Sequence, residues 1–487
     1  MKRSVFTTVH EDGKGGFLAF NTQNGALARI DGKAACALEA LGADEGRARD
    51  VDPETLRALA HAGLLAPSDA DEEALFASRF LADMNQTDFL SLCIAPTMAC
   101  NLRCIYCYEE HEPVRMTPDV EAAIMRFVER RHARYPFADL DVLWYGGEPM
   151  LEFSLIKRLS RKLIAWCDER GVRYRARMIT NATLIDDTAA AELSRLRVAE
   201  AMPTLDGLGG THDARRVRAD GTGSFAATLA GVRALSRAGI AVGANCNMDW
   251  GNEGGYRALR DELGRERACS LYASHLRNYG GWCEGCGEGS DAPSATAAAA
   301  SADAPDLMSR DAYAAELFTL YEQTNPSAES VRESLLAKRS FCRGKMASYF
   351  VIDPEGNVNR CDGFMRDPAH VLFNLLDADC PIEWPETRTL YEKNPRCRGC
   401  AVMPLCLGDC DWEWSMFDDN CSALKTTLGD YVRLLAEKLE EEAAGAPATS
   451  AGGPRESGSG ALVAVLAAPR DAGALYEQPF SPYEGIM

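Results

Sequence analysis

The order of apolar and polar positions separates a short N-terminal region from a longer one with a different rhythm. Residues 17–30 alternate apolar and polar around an Asn-Gly pair, which predicts a β-hairpin. Helical patterns follow at 33–41 and 53–65, the second with proline at its first position. We therefore predict a small separate unit over residues 1–85.

From residue 88 the pattern changes to short β-rich runs alternating with amphipathic helices. The runs FLSLCIAPT at 89–97 and LDVLWYGG at 140–147 each precede a helical pattern. Six strand–helix repeats are predicted, the last strand being CSLYASHL at 269–276. This alternation indicates an α/β fold over residues 88–278, with a parallel sheet that is either open or wound into a barrel.

The remaining chain shifts in composition. Residues 279–335 begin with a stretch rich in Gly, Ala, Ser and Pro, predicted to be a flexible insertion, and continue into a helix. Residues 336–443 are predicted to form a cysteine-rich domain that ends in a long helix. Residues 444–487 are again rich in Gly, Ala, Pro and Ser, and we expect a disordered tail.

Composition and charge exclude several classes of function. Of the 487 residues, 46% are hydrophobic and 25% are charged, which is typical of a soluble globular protein. No run approaches the roughly 18–20 apolar residues of a membrane span, and the N-terminus lacks a secretory apolar region. We therefore expect a cytoplasmic protein with no membrane partner. The excess of 72 acidic over 52 basic residues gives a net charge of −20, which argues against a nucleic-acid partner.

Cysteine is the unusual component, with 18 in the chain. Cytosolic proteins rarely keep disulfides, and ten of these cysteines fall into two spaced groups, which favours metal binding. In the first group, Cys100, Cys104 and Cys107 follow a predicted strand. Three thiolates can hold one face of a [4Fe–4S] cluster, which normally takes four, so one iron keeps an open position. Structural zinc is the alternative, but the sequence offers no fourth ligand nearby.

This segment resembles the cluster-binding loop of the radical S-adenosylmethionine superfamily, including Tyr106 before the third cysteine. The resemblance implies a partial (β/α)6 barrel of the TIM type. It also implies that the open iron binds S-adenosylmethionine and that the reduced cluster cleaves this cofactor to a 5′-deoxyadenosyl radical.

Further motifs strengthen the resemblance and suggest contacts to the cofactor. Gly146, Gly147, Glu148 and Pro149 match the family's Gly-Gly-Glu-Pro element, in which paired glycines let the backbone approach the ligand and the glutamate accepts from its ammonium group. Thr180-Asn181-Ala182 resembles a Thr-Asn-Gly element. A further segment resembles that of the peptide-modifying members, in which an arginine often meets the cofactor carboxylate; it contains Asp206, Gly207, His212, Asp213 and Arg216. Arg215 is the alternative for that contact, and a surface-loop position is the alternative for His212.

The second group of cysteines resembles the SPASM domain, which carries auxiliary iron–sulfur clusters in radical enzymes that modify peptides and proteins. The resemblance assigns four cysteines to a distal [4Fe–4S] cluster: Cys397, Cys400, Cys406 and Cys421. It assigns three to a proximal cluster: Cys342, Cys361 and Cys410. A zinc ribbon is the weaker alternative, because it needs only four of the seven.

The proximal cluster lacks one expected cysteine, because none precedes Cys342 in residues 331–341. Its fourth iron is either open, and able to bind a substrate thiolate, or ligated by Cys283 or Cys286, with Cys380 a weaker candidate. Asp362 matches the position of the general base of sulfatase-maturing relatives, although it can also simply cap a turn. The remaining cysteines are predicted to be buried core residues; they are Cys36, Cys93, Cys167, Cys246 and Cys269.

Residues 1–85 resemble, in pattern only, the winged-helix-like domain that binds the leader of a precursor peptide as an added strand. The alternative is a short cap on the barrel. Together the resemblances imply an enzyme that installs a thioether or another cross-link in a ribosomally made precursor peptide. Its electron donor would be a flavodoxin or ferredoxin. The alternatives are an anaerobic sulfatase-maturing enzyme and, more distantly, a non-catalytic electron-transfer protein.

Overall fold

The structure is a computed structural model. It describes residues 1–43, 49–266, 269–278, 305–336, 342–365, 367–383, 395–408, 410–416, 421–445 and 463–469. The chain forms two compact units, each assembled from separate stretches. The first unit comprises Met1–Asp83, Ala314–Cys342 and Arg388–Met487, and the second comprises Met84–Tyr313 and Arg343–Thr387.

The N-terminal stretch contains five strands and three helices. They are β1 (Lys2–Arg3), β2 (Thr7–Glu11), β3 (Phe17–Asn21), β4 (Leu27–Ile30), α1 (Gly32–Ala43), α2 (Pro53–His61), β5 (Leu65–Ala66) and α3 (Glu72–Met84). Strands β3 and β4 pair antiparallel, which confirms the predicted hairpin.

Strands and helices alternate through the next stretch. They are β6 (Phe89–Ile94), β7 (Leu102–Cys104), α4 (Pro118–Arg134), β8 (Asp139–Trp144), α5 (Phe153–Arg170), β9 (Arg173–Thr180), α6 (Asp187–Arg195), β10 (Val198–Pro203), α7 (Gly210–Arg215), β11 (Arg216–Arg218), α8 (Phe225–Arg237), β12 (Ala241–Met248), α9 (Glu253–Glu266) and β13 (Ser270–His275). Local chemistry sets several helix starts. The Thr117 side chain caps α4 by accepting from the Val120 amide at 3.4 Å, with Pro118 in the first turn.

The C-terminal stretch adds short strands and five helices. They are α10 (Arg310–Glu322), α11 (Ala328–Ser334), β14 (Tyr349–Ile352), β15 (Asn357–Asn359), β16 (Phe373–Asn374), α12 (Met403–Cys406), α13 (Asp411–Met416), α14 (Ala423–Gly445) and β17 (Val463–Ala467). Within the described parts of the chain, no helix combines the length and the apolarity needed to cross a membrane.

The second unit is built on a nine-stranded sheet in the order β13-β12-β10-β9-β8-β6-β14-β15-β16. The first six strands in that order run parallel, which confirms the predicted α/β fold with its partial barrel. Strand β14 joins the outer edge of β6 in parallel, a pairing that the sequence did not predict. Apolar side chains of these strands and of α4, α5, α6 and α8 form one continuous core.

The first unit contains a four-stranded antiparallel sheet in the order β17-β4-β3-β2. One core cluster joins Leu18 and Phe20 to α11 and α14, and a second packs the sheet against α1 and α2. The N-terminal residues therefore share a core with late parts of the chain. They do not form a unit closed at residue 85.

Two predictions need correction. The tail at 444–487 was predicted to be disordered, but Val463–Ala467 form strand β17 on the edge of β4, because aliphatic side chains there pack against both cores of the first unit. Cys36 was predicted to be buried, but it is exposed, and Cys269 is only partly buried, whereas Cys93, Cys167 and Cys246 are buried as predicted. The other predicted segment boundaries remain predictions.

Candidate active site

The first three cysteines lie in the loop after β6, here called the cluster loop (residues 95–108). Side-chain and backbone bonds brace this loop: the Thr97 hydroxyl donates to the Val114 carbonyl at 2.6 Å and accepts from the Ala99 amide at 3.1 Å. Strand β7, which ends at Cys104, pairs antiparallel with β11 and places Arg216 opposite Cys104. The loop is therefore fixed to the sheet at one end and to β11 at the other.

Burial favours the protonated form of all three thiols. Burial raises the pKa of Cys100 to about 11 and that of Cys107 to about 12, and it raises the pKa of Cys104 as well. Metal binding must displace these protons, because the thiolate is the ligand. Among the described residues, no three Cys, His, Asp or Glu side chains are arranged to share a single metal ion. A four-iron cluster takes each thiolate on a different iron, so its ligands do not converge on one point.

The paired glycines hold the end of β8 against the cluster loop. A Cβ at Gly146, whose φ is +104°, would lie 2.4 Å from the Thr97 oxygen, and one at Gly147 would lie 2.3 Å from the Met98 oxygen. The amide of Glu148 donates to the Ala99 carbonyl at 2.9 Å across this contact. The glycines were expected to let the backbone approach the cofactor. In the structure they let it approach the loop that carries the cysteines.

Glu148 is fully buried and joins the ends of β8 and β9. Its carboxylate accepts from the Met150 amide at 3.0 Å, from the Thr180 hydroxyl at 2.8 Å and from the Asn181 amide at 2.7 Å. Burial raises the pKa of Glu148, against the opposing effect of these bonds. The contacts identify Glu148 as a residue that positions Thr180 and Asn181, while its bond to the cofactor ammonium group remains a prediction.

Asn181 connects β9 to the cluster loop. Its side-chain amide donates to the Asn101 oxygen at 2.8 Å and lies 3.9 Å from the Cys100 sulfur. The next residue, Ala182, has φ of 58°, a left-handed conformation in which glycine is unstrained. This backbone requirement explains why the matching element carries glycine there. Asn101 was not singled out from the sequence, although its place directly after Cys100 was an available signal.

Tyr106, Asp206 and Arg216 form one buried chain of hydrogen bonds beside Cys104. The Arg216 guanidinium donates to the Tyr106 hydroxyl at 2.7 Å, and this hydroxyl donates to the Asp206 carboxylate. The other Asp206 oxygen accepts from the Asn247 amide at 2.9 Å. The structure thus brings together three of the predicted cofactor-contacting residues, from three separate elements.

The structure also separates the roles of the two adjacent arginines. Arg215 donates to both oxygens of Asp249, at 2.8 and 3.0 Å, and to the Asn247 carbonyl at 3.0 Å. Both arginines keep a buried Nε with no hydrogen-bond partner among the described residues, but the Nε of Arg215 lies 3.6 Å from the Asp206 carboxylate, which offsets its charge. Such a buried donor is costly unless something accepts from it. Arg216 is therefore the better candidate for binding an anionic cofactor group.

His212 is a buried structural residue and does not lie in a surface loop. Its Nδ1 accepts from the Asp206 amide at 3.3 Å, so its Nε2 carries the proton and donates to the Ser224 hydroxyl at 3.0 Å. Burial, followed by the charges of Arg216 and Arg215, lowers the pKa of His212 to about 3. This neutral imidazole connects α7 to the start of α8.

The seven predicted auxiliary ligands are partly exposed, and among the described residues they form no disulfide. Six of the seven predicted auxiliary ligands belong to the first unit: Cys342, Cys397, Cys400, Cys406, Cys410 and Cys421. Cys361 belongs to the second unit. Burial raises the pKa of Cys410 to about 12, and the neighbouring Cys342 adds to this shift.

The structure describes only one of the three candidates for the extra ligand of the proximal cluster. Cys283 and Cys286 lie outside the described residues. Cys380 is buried in the core of the second unit, where Arg130 donates to its sulfur at 3.1 Å and to its carbonyl at 2.9 Å. These contacts give Cys380 a structural role.

Asp362 lies among tyrosines that the sequence did not single out. Burial raises the pKa of Asp362, and the Cys361 thiol donates weakly to its carboxylate at 3.9 Å. Burial also raises the pKa of Tyr145 and Tyr349, and the Asp362 charge adds to both shifts. The Tyr145 hydroxyl is hydrogen-bonded to that of Tyr108, which directly follows Cys107. Tyr108 is next to Cys107 in sequence and Tyr145 is next to Gly146, and these two positions were the signals in the sequence that could have identified them.

A buried ion network anchors the segment that follows Cys342. Asp141 on β8 accepts from Arg177 on β9 at 2.5 Å, from Arg343 at 2.8 Å and from the Ser91 hydroxyl at 3.1 Å. All four side chains are almost fully buried. The network therefore joins three neighbouring strands to the start of the cysteine-rich segment.

Comparisons with known proteins agree with this geometry. Residues 94–249 match the model of the Radical SAM superfamily. The chain is 28% identical over 180 residues to Fe-coproporphyrin III synthase of Methanosarcina barkeri, covering 37% of this chain and 42% of that protein, so it spans less than half of that relative. It is 23% identical over 365 residues to a serine-type anaerobic sulfatase-maturating enzyme of Klebsiella aerogenes, covering 70% of this chain and 83% of that protein.

Solved structures show a similar fold. A structure of native anSMEcpe with bound AdoMet and Cp18Cys peptide aligns with a TM-score of 0.50 and 18% identity, covering 72% of this chain and 99% of that one.

Proposed function

We propose, from the match of residues 94–249 to the Radical SAM superfamily model, that the chain modifies a ribosomally made precursor peptide by forming a thioether or another cross-link. The observation that carries the proposal is the cluster loop, with its three partly buried cysteines next to the Tyr106–Arg216–Asp206 chain. The cysteine-rich C-terminal segment supports the peptide- and protein-modifying branch.

Each part of the site has a distinct task. Cys100, Cys104 and Cys107 would hold the catalytic [4Fe–4S] cluster, and Arg216, whose buried Nε has no hydrogen-bond partner among the described residues, would bind the carboxylate of S-adenosylmethionine. When bound and reduced, these cofactors supply a 5′-deoxyadenosyl radical that removes a hydrogen atom from the substrate. Glu148 keeps Thr180 and Asn181 in place, and Asn181 holds the cluster loop through Asn101.

The later cysteines would complete the cross-link. The second group of cysteines would hold auxiliary clusters, and the resemblance leaves one proximal iron open, which would supply a binding position for a substrate thiolate and an acceptor for the electron released when the carbon–sulfur bond forms. Asp362, which directly follows Cys361 and whose pKa is raised by burial, would accept the thiol proton.

The second candidate is maturation of a sulfatase, in which a cysteine or serine becomes formylglycine. The similarity to the Klebsiella enzyme over 70% of this chain favours it. The two candidates differ in the product. Cross-linking removes two hydrogens from the peptide and consumes a free thiol. Formylglycine formation from cysteine removes the sulfur, and formylglycine formation from serine removes two hydrogens but leaves every thiol free. Mass spectrometry of a peptide that contains both serine and cysteine, before and after alkylation of its thiols, separates them.

The central claim is tested by replacing Cys100, Cys104 and Cys107 together with alanine. We expect 5′-deoxyadenosine formation to be abolished after reduction, while the auxiliary clusters keep their iron. The matched control is Cys36→Ala, which removes an exposed thiol and should leave cofactor cleavage unchanged. Undiminished cleavage in the triple variant would show that another site carries the reaction and would defeat the proposal.

A further inference from the structure

A short turn that carries two of the later cysteines, residues 397–400, is here called the knuckle. The Cys400 amide donates to the Cys397 carbonyl at 3.2 Å, and Gly399 between them has φ of +67°, so the backbone turns tightly. Both cysteines are partly exposed, and two thiols separated by two residues on such a turn are a common arrangement of metal ligands. The geometry of the knuckle therefore fits the distal cluster that the resemblance assigns to it.

Two side chains of the N-terminal stretch hold the knuckle from outside. The Gly399 amide donates to the carboxylate of Glu73, which lies in the first turn of α3. Directly after the knuckle, the Ala401 carbonyl accepts from the hydroxyl of Thr22, a buried residue that follows β3. The two pairs are 326 and 379 positions apart in sequence. All four residues belong to the first unit, so both contacts lie within one compact body.

The position of Glu73 is set by the start of the helix that carries it. The Asp71 side chain caps the first turn of α3. Glu72 accepts from the Ser4 hydroxyl at 2.6 Å and from the Val5 amide at 3.0 Å, which ties the same turn to the beginning of the chain. A carboxylate in the first turn of a helix is stabilised by the helix dipole. The negative charge of Glu73 is therefore held beside the knuckle.

We propose that Glu73 is a positioning residue that sets the reduction potential of the distal auxiliary cluster through the Gly399 amide. The proposal rests on the proposed function, in which Cys397 and Cys400 are ligands of that cluster. Hydrogen bonds to the sulfurs and the net charge around an iron–sulfur cluster both set its potential. An amide that donates to Glu73 is withheld from the sulfurs, and the carboxylate adds a negative charge nearby. Both effects disfavour the reduced cluster, which is the more negative form, so both lower the potential.

The test is a redox titration followed by electron paramagnetic resonance. It uses the full-length chain in which Cys100, Cys104 and Cys107 are replaced by alanine, so that only auxiliary clusters contribute signals. Glu73→Gln removes the charge and keeps an oxygen that can accept from Gly399, whereas Glu73→Ala removes both. Glu73 is partly exposed, so both variants should fold. We expect the potential of one auxiliary cluster to rise in Glu73→Gln and to rise further in Glu73→Ala, while the potential of the other auxiliary cluster is unchanged.

Two control variants separate an effect on the potential from simple support of the knuckle. Thr22→Val removes the other contact without changing the charge. Asp69→Asn removes a negative charge from the wall of the cavity that Glu73 and Gly399 also line. We expect both controls to shift the potential less than Glu73→Gln does. Unchanged potentials in both Glu73 variants would overturn the proposal, as would an equal shift in Asp69→Asn or in Thr22→Val.

Iron content and peptide modification distinguish this proposal from the proposed function. Iron is measured in the titrated chain, and modification in the chain with all its cysteines. If the titrated chain binds no iron, the auxiliary clusters of the proposed function are refuted and this proposal falls with them. If a chain modifies a peptide but its potentials ignore Glu73, only this proposal is overturned. A potential that responds to Glu73 in a chain that modifies no peptide supports this proposal and defeats the proposed function.

Discussion

Gly147→Ala should displace the cluster loop from the position that it has against the end of β8. Gly147 lies where the end of β8 meets the backbone of that loop, and its amide donates to the Thr97 carbonyl at 3.2 Å. An added Cβ would meet the Met98 oxygen at 2.3 Å and the Ala99 oxygen at 2.4 Å, whereas ordinary contact begins at 3.4 Å. Both contacts are to backbone atoms, so no side chain can move away, and the loop must shift by about 1 Å.

The magnitude follows from what that shift breaks. Overpacking of a rigid contact costs about 1–3 kcal/mol. The bonds from Gly147 to Thr97 and from Glu148 to Ala99 cross the same contact, and the loss of each adds about 1 kcal/mol. We therefore expect the free energy of unfolding to fall by about 2–5 kcal/mol. The larger effect should be on iron, because the shifted residues directly precede Cys100.

The assay compares urea unfolding, iron and sulfide content after reconstitution, and 5′-deoxyadenosine formation. Gly264→Ala is the matched control. Gly264 is an exposed position in α9 at which a Cβ would meet nothing within 4 Å, so this change should stabilise the chain by about 0.5–1 kcal/mol. A Gly147→Ala variant with wild-type stability and full iron content would refute the reasoning, because it would show that the glycine is not required by the loop contact.

Three further changes test the contacts around the site. Tyr106→Phe removes the hydroxyl between Arg216 and Asp206 and should lower the free energy of unfolding by about 2–3 kcal/mol, measured by urea titration; an unchanged midpoint would contradict it. Arg343→Met leaves Asp141 with one arginine and should cost about 3 kcal/mol, with Arg173→Met on an exposed pair as control. Burial lowers the pKa of His212 to about 3 in the folded chain, so as the pH falls this histidine is protonated in the unfolded chain before it is protonated in the folded one. The stability that comes from the neutral imidazole is therefore fully present above pH 6.5 and is lost as the pH drops. From pH 7 to 5 this amounts to about 2 kcal/mol, and His212→Gln should flatten that slope, whereas an unchanged slope would assign it to other groups.

Much of the fold of the second unit could be predicted from the sequence, because its strands and helices are set by residue patterns over short stretches of the chain. Short apolar runs alternating with amphipathic helices predicted six parallel strands, and the cysteine spacing predicted a cluster site directly after the first of them. Strand β14 was missed because its pairing with β6 joins residues more than 250 positions apart. The shared core of the first unit was also missed, because the N-terminal strands pack against α11 and α14, which lie far from them in sequence.

The sequence by itself predicted the chemistry of this protein: three cysteines at a spacing that can hold a cluster, a glycine pair after a predicted strand, and seven more spaced cysteines towards the C-terminus. Those features depend on residue types and on neighbours within a few positions. Only the tertiary structure decided that Glu148 positions its neighbours, that Arg215 pairs with Asp249 whereas Arg216 bonds to Tyr106, and that β17 covers β4. Each of these depends on which residues, far apart in sequence, come within hydrogen-bonding or packing distance in the fold. The pattern of residues along the chain does not encode those distances.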